Sequence, residues 1–474
     1  MGGGEALKGF PVPNPTESYW QIPPHRIANL RTTLDLPTSV TFDYVIVGSG
    51  VSGAAVAYKL LKRDSALSVL MLEARTAASA ASGRNGGHCR PGWWLNFKKY
   101  AEVFGEEEAI KFDQLEEQNV LDIVNFVRDN GVDCDFQDLD TSDVYVTERG
   151  WAEVLQVVRF REAVRKRRPD WKPLMRREVW HGEDAEKRLG LPNLKGAVIY
   201  PSHTQNPYLL VCKMLELSLD KGLNLQTNTP AIAVVPVCGN HEDLARWEVQ
   251  TERGTILTRN VVLATNAYTN ALHRGIANTN FLAPSRSQVA AIRAKRDLCD
   301  HPAMHISMAI NDRGSGDYFS IRQPGLKGAG DLLFGGGRSV SKTREMGITD
   351  DSTVNEEIAA YLKQSAPEIF GRENWEEPTE EIKDWSGITV YTPDTFPLVG
   401  EVPDEPGIWA SVGFNGHGMA LAFRSAESLV TMMTTGKEPE WFPKSFSIER
   451  AWADPNMGLA ISNLYKTKLT DVLD

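Results

Sequence analysis

The sequence predicts an α/β fold built on a βαβ unit near its start, and three observations predict it. FDYVIVG (Phe42–Gly48) is an apolar, β-branched run of the kind that forms a strand buried on both faces. A glycine pattern, GSGVSG (Gly48–Gly53), opens VSGAAVAYKLLKRDS, where Val56, Leu60 and Leu61 recur at helical spacing. A second apolar run, LSVLMLE, ends on Glu73. Strand, glycine turn, helix and strand together make one unit of about thirty residues.

Each glycine has a task in that unit. Gly48 permits the tight turn, Gly50 lets the backbone approach a pyrophosphate, and Gly53 lets helix and strand pack closely. The helix start supplies unpaired N–H groups and partial positive charge for the phosphates. Glu73 follows Gly53 by 20 residues, where an acidic side chain accepts the ribose hydroxyls. A bare turn would explain the glycines alone. It would not explain strand, helix and terminal acid in register, so the unit reads as a dinucleotide site.

The next segment, ARTAASAASGRNGGHCRPGWW, bears on which dinucleotide. NAD domains usually continue from the acid into ordinary helix and strand. Here a loop of small residues and glycines can wrap a long buried ligand, because glycine allows close approach and positive φ. A flexible surface linker is the plainer alternative; the interspersed Arg84, Asn85, His88 and Arg90 favour a ligand loop, hence FAD. GTILTRNVVLATNAYTN reads as a strand ending in Ala264–Thr265–Asn266–Ala267, at the carboxyl end where ligands of open α/β sheets lie. GIWASVGFNGHGMALAFRSAESLVTMM reads as strand, glycine loop (Gly413 to Gly418) and helix from about Met419. That helix start would face the flavin pyrimidine oxygen and stabilise charge on the reduced ring.

SGRNGG, LATNAYT, TPDTFPLVG and VGFNGHGM, in this order, resemble the D-amino acid oxidase/sarcosine oxidase (DAO) superfamily of FAD-dependent oxidoreductases. SGRNGGH is most similar to its γ-glutamylputrescine oxidase-like branch. The resemblance covers about residues 40–440. It implies a discontinuous, Rossmann-like FAD-binding domain (41–100, 196–275 and 380–440) and an interleaved α+β substrate domain (101–195 and 276–379) on a mixed, largely antiparallel sheet. Residues 1–40 form an N-terminal extension and 441–474 a C-terminal tail. It puts FAD contacts at Gly48, Gly50, Val51, Ser52, Gly53, Glu73, Ala74, Arg75, Ser82, Gly83, Arg84, Asn85, Gly86, Gly87 and His88. Further contacts fall on Cys89, Ala231, Thr265, Asn266, and Gly413, Phe414, Asn415, Gly416, His417, Gly418 and Met419.

The implied chemistry is oxidation of a carbon next to an amine, with hydride passing to flavin N5 and water hydrolysing the imine. Oxygen is the expected acceptor, giving hydrogen peroxide. A dehydrogenase using a quinone or carrier, and a flavin-binding assembly protein without turnover, are the alternatives. Sarcosine oxidases carry lysine in GHGFK to grip the substrate carboxylate; this chain has Ala420 in GHGMA, which points to an amine substrate. Arg90, Arg286, Arg322 or Arg338 could replace that anchor. His417 is expected beside the flavin, and Arg286 near its face. Trp93, Trp94, Trp385, Tyr391 and Phe414 could wall the substrate site or simply pack in the core. Superfamily relatives bond flavin covalently through His or Cys. His88 and Cys89 could do so here, or act as a hydrogen-bonding ring beside a structural thiol.

The remainder reads as supporting structure. Residues 101–195 have a largely helical pattern, and the basic run 161–168 fits a solvated helix end. YPSHTQNPYLLVCKMLELSLDKGLNLQTNTPAIAVVPV reads as helix then strand. From Phe281 to about Glu377 strands alternate (QVAAIRA, DYFSIRQ, DLLFGGGRS) before one acidic helix, VNEEIAAYLKQSAPEIF. A net charge of -11 argues against nucleic acid or an anionic membrane as partner. The five cysteines show no CxxC spacing, so neither a zinc site nor a disulfide framework is expected. With no run of eighteen apolar residues and no signal-peptide pattern, a cytoplasmic protein is expected.

Overall fold

The structure, a computed structural model, describes residues 9–237 and 245–453. Cys238 and the end of the tail lie outside the described residues. The first sheet has eight strands, six of them in the order Leu398–Glu401, Ile408–Val412, Gly254–Leu263, Thr41–Val47, Val69–Leu72 and Asn224–Gln226. Thr41–Val47 pairs in parallel with both neighbours, its last four residues completely registered with Val69–Leu72. The four-residue run Val69–Leu72 is buried throughout, as a strand covered on both faces must be. Ala231–Pro236 and Trp247–Thr251 extend this sheet as antiparallel strands.

Val51–Arg63 follows the glycine turn and packs between Pro207–Leu219 and Ala422–Thr435. Pro207 presets the first turn of its own helix, and Asn206 Oδ1 accepts from the N–H groups of Tyr208 and Leu209. The expected helix after the glycine loop begins as a short 3₁₀ turn, Gly418–Ala420, before Ala422–Thr435.

The second sheet has nine strands, with Glu380–Tyr391, Ala283–Arg293, Leu332–Gly335, Asp317–Ile321, Ile306–Ile310, Gln137–Tyr145, Gly196–Thr204 and His88–Cys89 in order. Glu178–His181 also pairs with Gly196–Thr204. Only the Ile306–Ile310/Gln137–Tyr145 pairing is parallel. The acidic helix runs Glu356–Phe370.

Sheet membership differs from the expected domain boundaries at three points, one being His88–Cys89, which pairs with Gly196–Thr204 in the second sheet. Gly196–Thr204 and Glu380–Tyr391 belong to the second sheet, because they pair with Gln137–Tyr145 and Ala283–Arg293. Gln137–Tyr145 also interrupts the stretch read as helical. Its sequence, QDLDTSDVY, is polar, yet Thr141, Ser142 and Asp143 are completely buried. The basic run divides in two: Arg165, Lys166 and Arg167 close the helix Glu148–Arg167, whereas Arg161 is buried against Asp113.

Close packing at the first turn orients everything above it. Gly48 has φ of +104°, and a Cβ there would lie 2.8 Å from the Ala264 carbonyl oxygen. A Cβ on Gly53 would lie 2.0 Å from the Gly48 carbonyl oxygen. Gly53→Ala should therefore force helix and strand apart. We expect a lower melting temperature and a loss of about 1–3 kcal/mol, the usual scale of overpacking, read by thermal and urea denaturation.

Candidate active site

A cavity of about 340 Å³ opens at the carboxyl ends of the parallel strands, within the range of small-molecule sites. At one end its wall is Gly48, Gly50, Val51, Ser52, Glu73, Ala74, Arg75, Ala231, Thr265 and Asn266. Ser82, Arg84 and Asn85 continue along it, and Phe414, Gly416, Gly418, Met419 and Tyr391 also line it. The structure thus gathers these sequence-assigned positions around one space.

The first end has the character of a nucleotide cradle. Gly50 has φ of -68° and ψ of -179°, which any residue can adopt. Glycine is needed there for room, since a Cβ would stand 3.0 Å from Ser82 Oγ. Ser82 Oγ accepts the Val51 N–H at 2.8 Å, so a hydroxyl already occupies the helix start. Glu73 Oε2 accepts from the Ser49 N–H at 3.0 Å and from Ser49 Oγ at 2.6 Å, while Oε1 accepts the Arg75 N–H at 2.9 Å. These bonds fix the carboxylate on the wall and leave each oxygen further acceptor capacity for hydroxyls. Tyr268 lines the same end, and its buried hydroxyl has no hydrogen-bond partner among the described residues. The residues present fit the ADP part of a dinucleotide.

Further bonds among the assigned residues brace the wall. Asn266, at φ of +46°, accepts the Gly413 N–H at 2.9 Å and ties the strand end to the glycine loop. Asn415 Oδ1 accepts the Thr392 N–H, and its amide donates to the Gly413 carbonyl at 2.6 Å. His417 bonds through Nε2 to Glu116, a buried carboxylate that also accepts the Gly92 and Trp93 N–H groups. Trp93 stacks on the His417 ring at 5.9 Å. Gly83, Gly86 and Gly87 admit protein: Cβ atoms there would meet Gln21 Nε2 at 2.6 Å, Tyr318 Cε2 at 2.4 Å and the Gln205 carbonyl at 2.6 Å.

His88 and Cys89 are absent from the cavity wall. The His88 ring packs edge-on against Tyr318, which lines the cavity, and Cys89 Sγ donates to the Met419 carbonyl. Burial, with Arg90 nearby, pushes His88 down to about 3. Burial pushes the Cys89 thiol up. Trp385 is completely buried and donates to the Arg84 carbonyl at 2.6 Å; Trp94 donates to Asp143. Arg286 pairs with Glu345 and donates to Thr353.

Sequence reasoning missed several groups. Tyr318, held between Gly86 and Gly335, lines the cavity and is raised to about 12 by burial. Asp351 accepts three bonds from the Arg75 guanidinium at 2.9, 3.2 and 3.2 Å and lies 3.7 Å from Arg84. Burial lowers Arg84 to about 10 although Asp351 opposes the shift. Neither Tyr318 nor Asp351 stands in a recognisable motif. Each is brought to the site only by the second sheet and the loops around it.

The family model for FAD dependent oxidoreductases (DAO) matches residues 43–432. The chain belongs to this family. FAD is the cofactor of this family. The chain is 22% identical over 391 residues to probable oxidoreductase OrdL of Haemophilus influenzae, covering 80% of each. It is 23% identical to glycine oxidase of Pseudomonas putida, covering 85% of this chain and 98% of that protein. Among solved structures, glycine oxidase from Geobacillus kaustophilus superposes with a TM-score of 0.67 at 20% identity, covering 86% and 99% of the two chains. L-proline dehydrogenase from P. horikoshii gives 0.67 at 16% identity, covering 88% and 100%. This DAO-family chain thus carries the expected α/β fold with mixed sheets. Among the described residues no helix is long and apolar enough to cross a membrane, and no cluster could hold a metal ion.

The buried histidines predict acid sensitivity. His88 and His203 each bury both ring nitrogens without a protein partner, and burial holds each near 3. An unfolded histidine titrates near 6.5, so below that pH the unfolded chain binds protons that the folded one refuses. Their stabilising effect is complete above about pH 6.5 and is lost as pH falls towards 3. The urea midpoint should drop between about pH 7 and pH 5. His203→Phe should flatten that dependence by up to about 1.4 kcal/mol per pH unit, one proton's share.

Proposed function

We propose that this flavoenzyme oxidises the C–N bond of a small amine that also carries a carboxylate, with oxygen as electron acceptor and hydrogen peroxide as product. Bound FAD supplies the hydride acceptor, and the protein's part is to seat the amine carbon and exclude competing water.

Arg338 carries the reading. Of the four arginines considered as carboxylate anchors, Arg90 is bound to Asp143, Arg286 to Glu345 and Arg322 to Asp135. Among the described residues, Arg338 has no carboxylate partner. It lines the cavity with its guanidinium 4.4 Å from the centre of the Tyr391 ring. Nη2 donates to Ser285 Oγ at 2.9 Å, and Nε is buried without a partner. Arg338 is half-buried, and its guanidinium, which also donates to the Arg344 carbonyl at 3.3 Å, keeps donor capacity for a ligand anion. A carboxylate can accept two parallel bonds from such a group. The anchor lost at Ala420 is thereby supplied from another strand end. Relatives named for glycine, L-proline and L-amino acids support the same substrate class.

The test is anaerobic mixing with a panel of amines, each paired with its carboxylate-bearing counterpart, while flavin bleaching is followed. The carboxylate-bearing members should bleach the flavin fastest. Arg338→Met should lower kcat/KM for them by about tenfold to a hundredfold, the scale of a charged hydrogen bond. Amines without a carboxylate should be unaffected by that change. Equal losses for both sets would contradict the assignment.

The placement of His88 and Cys89 behind Tyr318 and Met419 supports a flavin held without a covalent bond. Acid precipitation should leave all the FAD in the supernatant. Flavin retained in the pellet and lost in His88→Ala or Cys89→Ala would show a tether instead.

A further inference from the structure

We infer that residues 9–21 form a strap that completes the FAD site and acts as the gate through which the cofactor enters. Phe10 and Pro11 contribute to the wall of the cavity, whereas Pro13, Asn14 and Glu17 are exposed. The strap therefore has one side on the cavity and the other in solvent. It covers the nucleotide end: Arg75 donates to the Val12 carbonyl, and a Cβ on Gly9 would touch Ala271, next to the wall residue Leu272.

The strap also fixes the loop that would run along the cofactor. Ser18 Oγ and Gln21 Nε2 donate to the Gly83 carbonyl at 2.7 and 3.1 Å, and Gln21 donates again to Ser79. Trp20 Nε1 donates to the Asn85 carbonyl at 2.6 Å. The Gly83 and Asn85 carbonyls thus take their side-chain donors from the strap, while the Ser79 carbonyl also accepts Arg84 Nε at 2.7 Å; a buried carbonyl left unpaired is costly. Arg84 closes the circuit by donating to Thr16 Oγ1 and the Thr16 carbonyl. Thr16 N donates to the Asp351 carbonyl at 2.7 Å, and Tyr19 donates to Asp331, so the strap also grips the side of the second sheet.

The attachment is uneven. Ser18 and Trp20 are buried anchors, while the arm 9–15 is held mainly by the long Arg75–Val12 bond of 3.4 Å and by contact of Phe10 and Pro11 with the cavity. An arm with few buried contacts opens at low cost while its anchored end stays in place. With the arm closed, Phe10 and Pro11 bar the nucleotide end. FAD must enter with the arm open and is retained when it closes.

Apoprotein from riboflavin-starved cells, mixed with FAD, tests this through quenching of FAD fluorescence. For the full chain, the uptake rate should level off with rising FAD because arm opening becomes limiting. A variant lacking residues 1–15 should take up FAD about tenfold faster, with a rate linear in FAD, and lose it faster on dilution. Phe10→Gly with Pro11→Gly should behave in the same direction, and it retains the full chain should the truncation fold poorly. Circular dichroism and melting temperature report the fold of each. Uptake and release at the full-chain rates in the double variant would overturn the gate.

Discussion

Where the helix Val51–Arg63 leaves the first strand, its backbone passes so close to the turn that only hydrogen fits on Gly53. That contact fixes the angle between helix and sheet. It aims the helix start over the ends of Thr41–Val47 and Gly254–Leu263, where Gly48 presses on the Ala264 carbonyl. The rest of the site is hung from this crossing. Ser49, in the turn itself, holds Glu73 by two hydrogen bonds, and Asn266, beyond the neighbouring strand, holds the Gly413 loop. The cradle and the far glycine loop are therefore positioned by one steric condition.

Three buried carboxylates then join segments that are distant in sequence. Asp351 receives Arg75, Glu116 gathers Gly92, Trp93 and His417, and Asp143 receives Arg90, Tyr200, Trp94 and Asn311. Each is satisfied by several donors, which is the condition under which a buried charge is tolerated. Their contribution is geometric as much as energetic. They hold the wall of the cavity together from both sheets. Arg338 lines the cavity without such a carboxylate among the described residues, and for that reason is the group we propose as anchor for a ligand carboxylate.

The strand, turn, helix and terminal acid were legible because each has a local signature: β-branched residues, glycine spacing, helical periodicity and a charge at a strand end. Gly413–Gly418 was legible for the same reason. Gln137–Tyr145 was not, because its buried Thr141 and Asp143 are stabilised by Ser307, Arg90 and Tyr200 rather than by apolar contact. Tyr318, Asp351 and the strap were equally invisible, since long-range pairing brings them to the cavity. The glycines of SGRNGG were read as making room for a ligand. Gly83, Gly86 and Gly87 make room for Gln21, Tyr318 and Gln205 instead, a distinction that sequence spacing does not contain.

We propose that the space above Gly50 receives the phosphates of FAD. Gly50 has backbone angles open to any residue, so Gly50→Val acts through room alone, crowding Ser82 Oγ and the space beside it. Equilibrium binding of FAD to apoprotein therefore tests the claim most directly. The parent protein should bind FAD tightly and stoichiometrically, and Gly50→Val should lose binding severely at unchanged folded content. Stoichiometric FAD of parental affinity in that variant would contradict it.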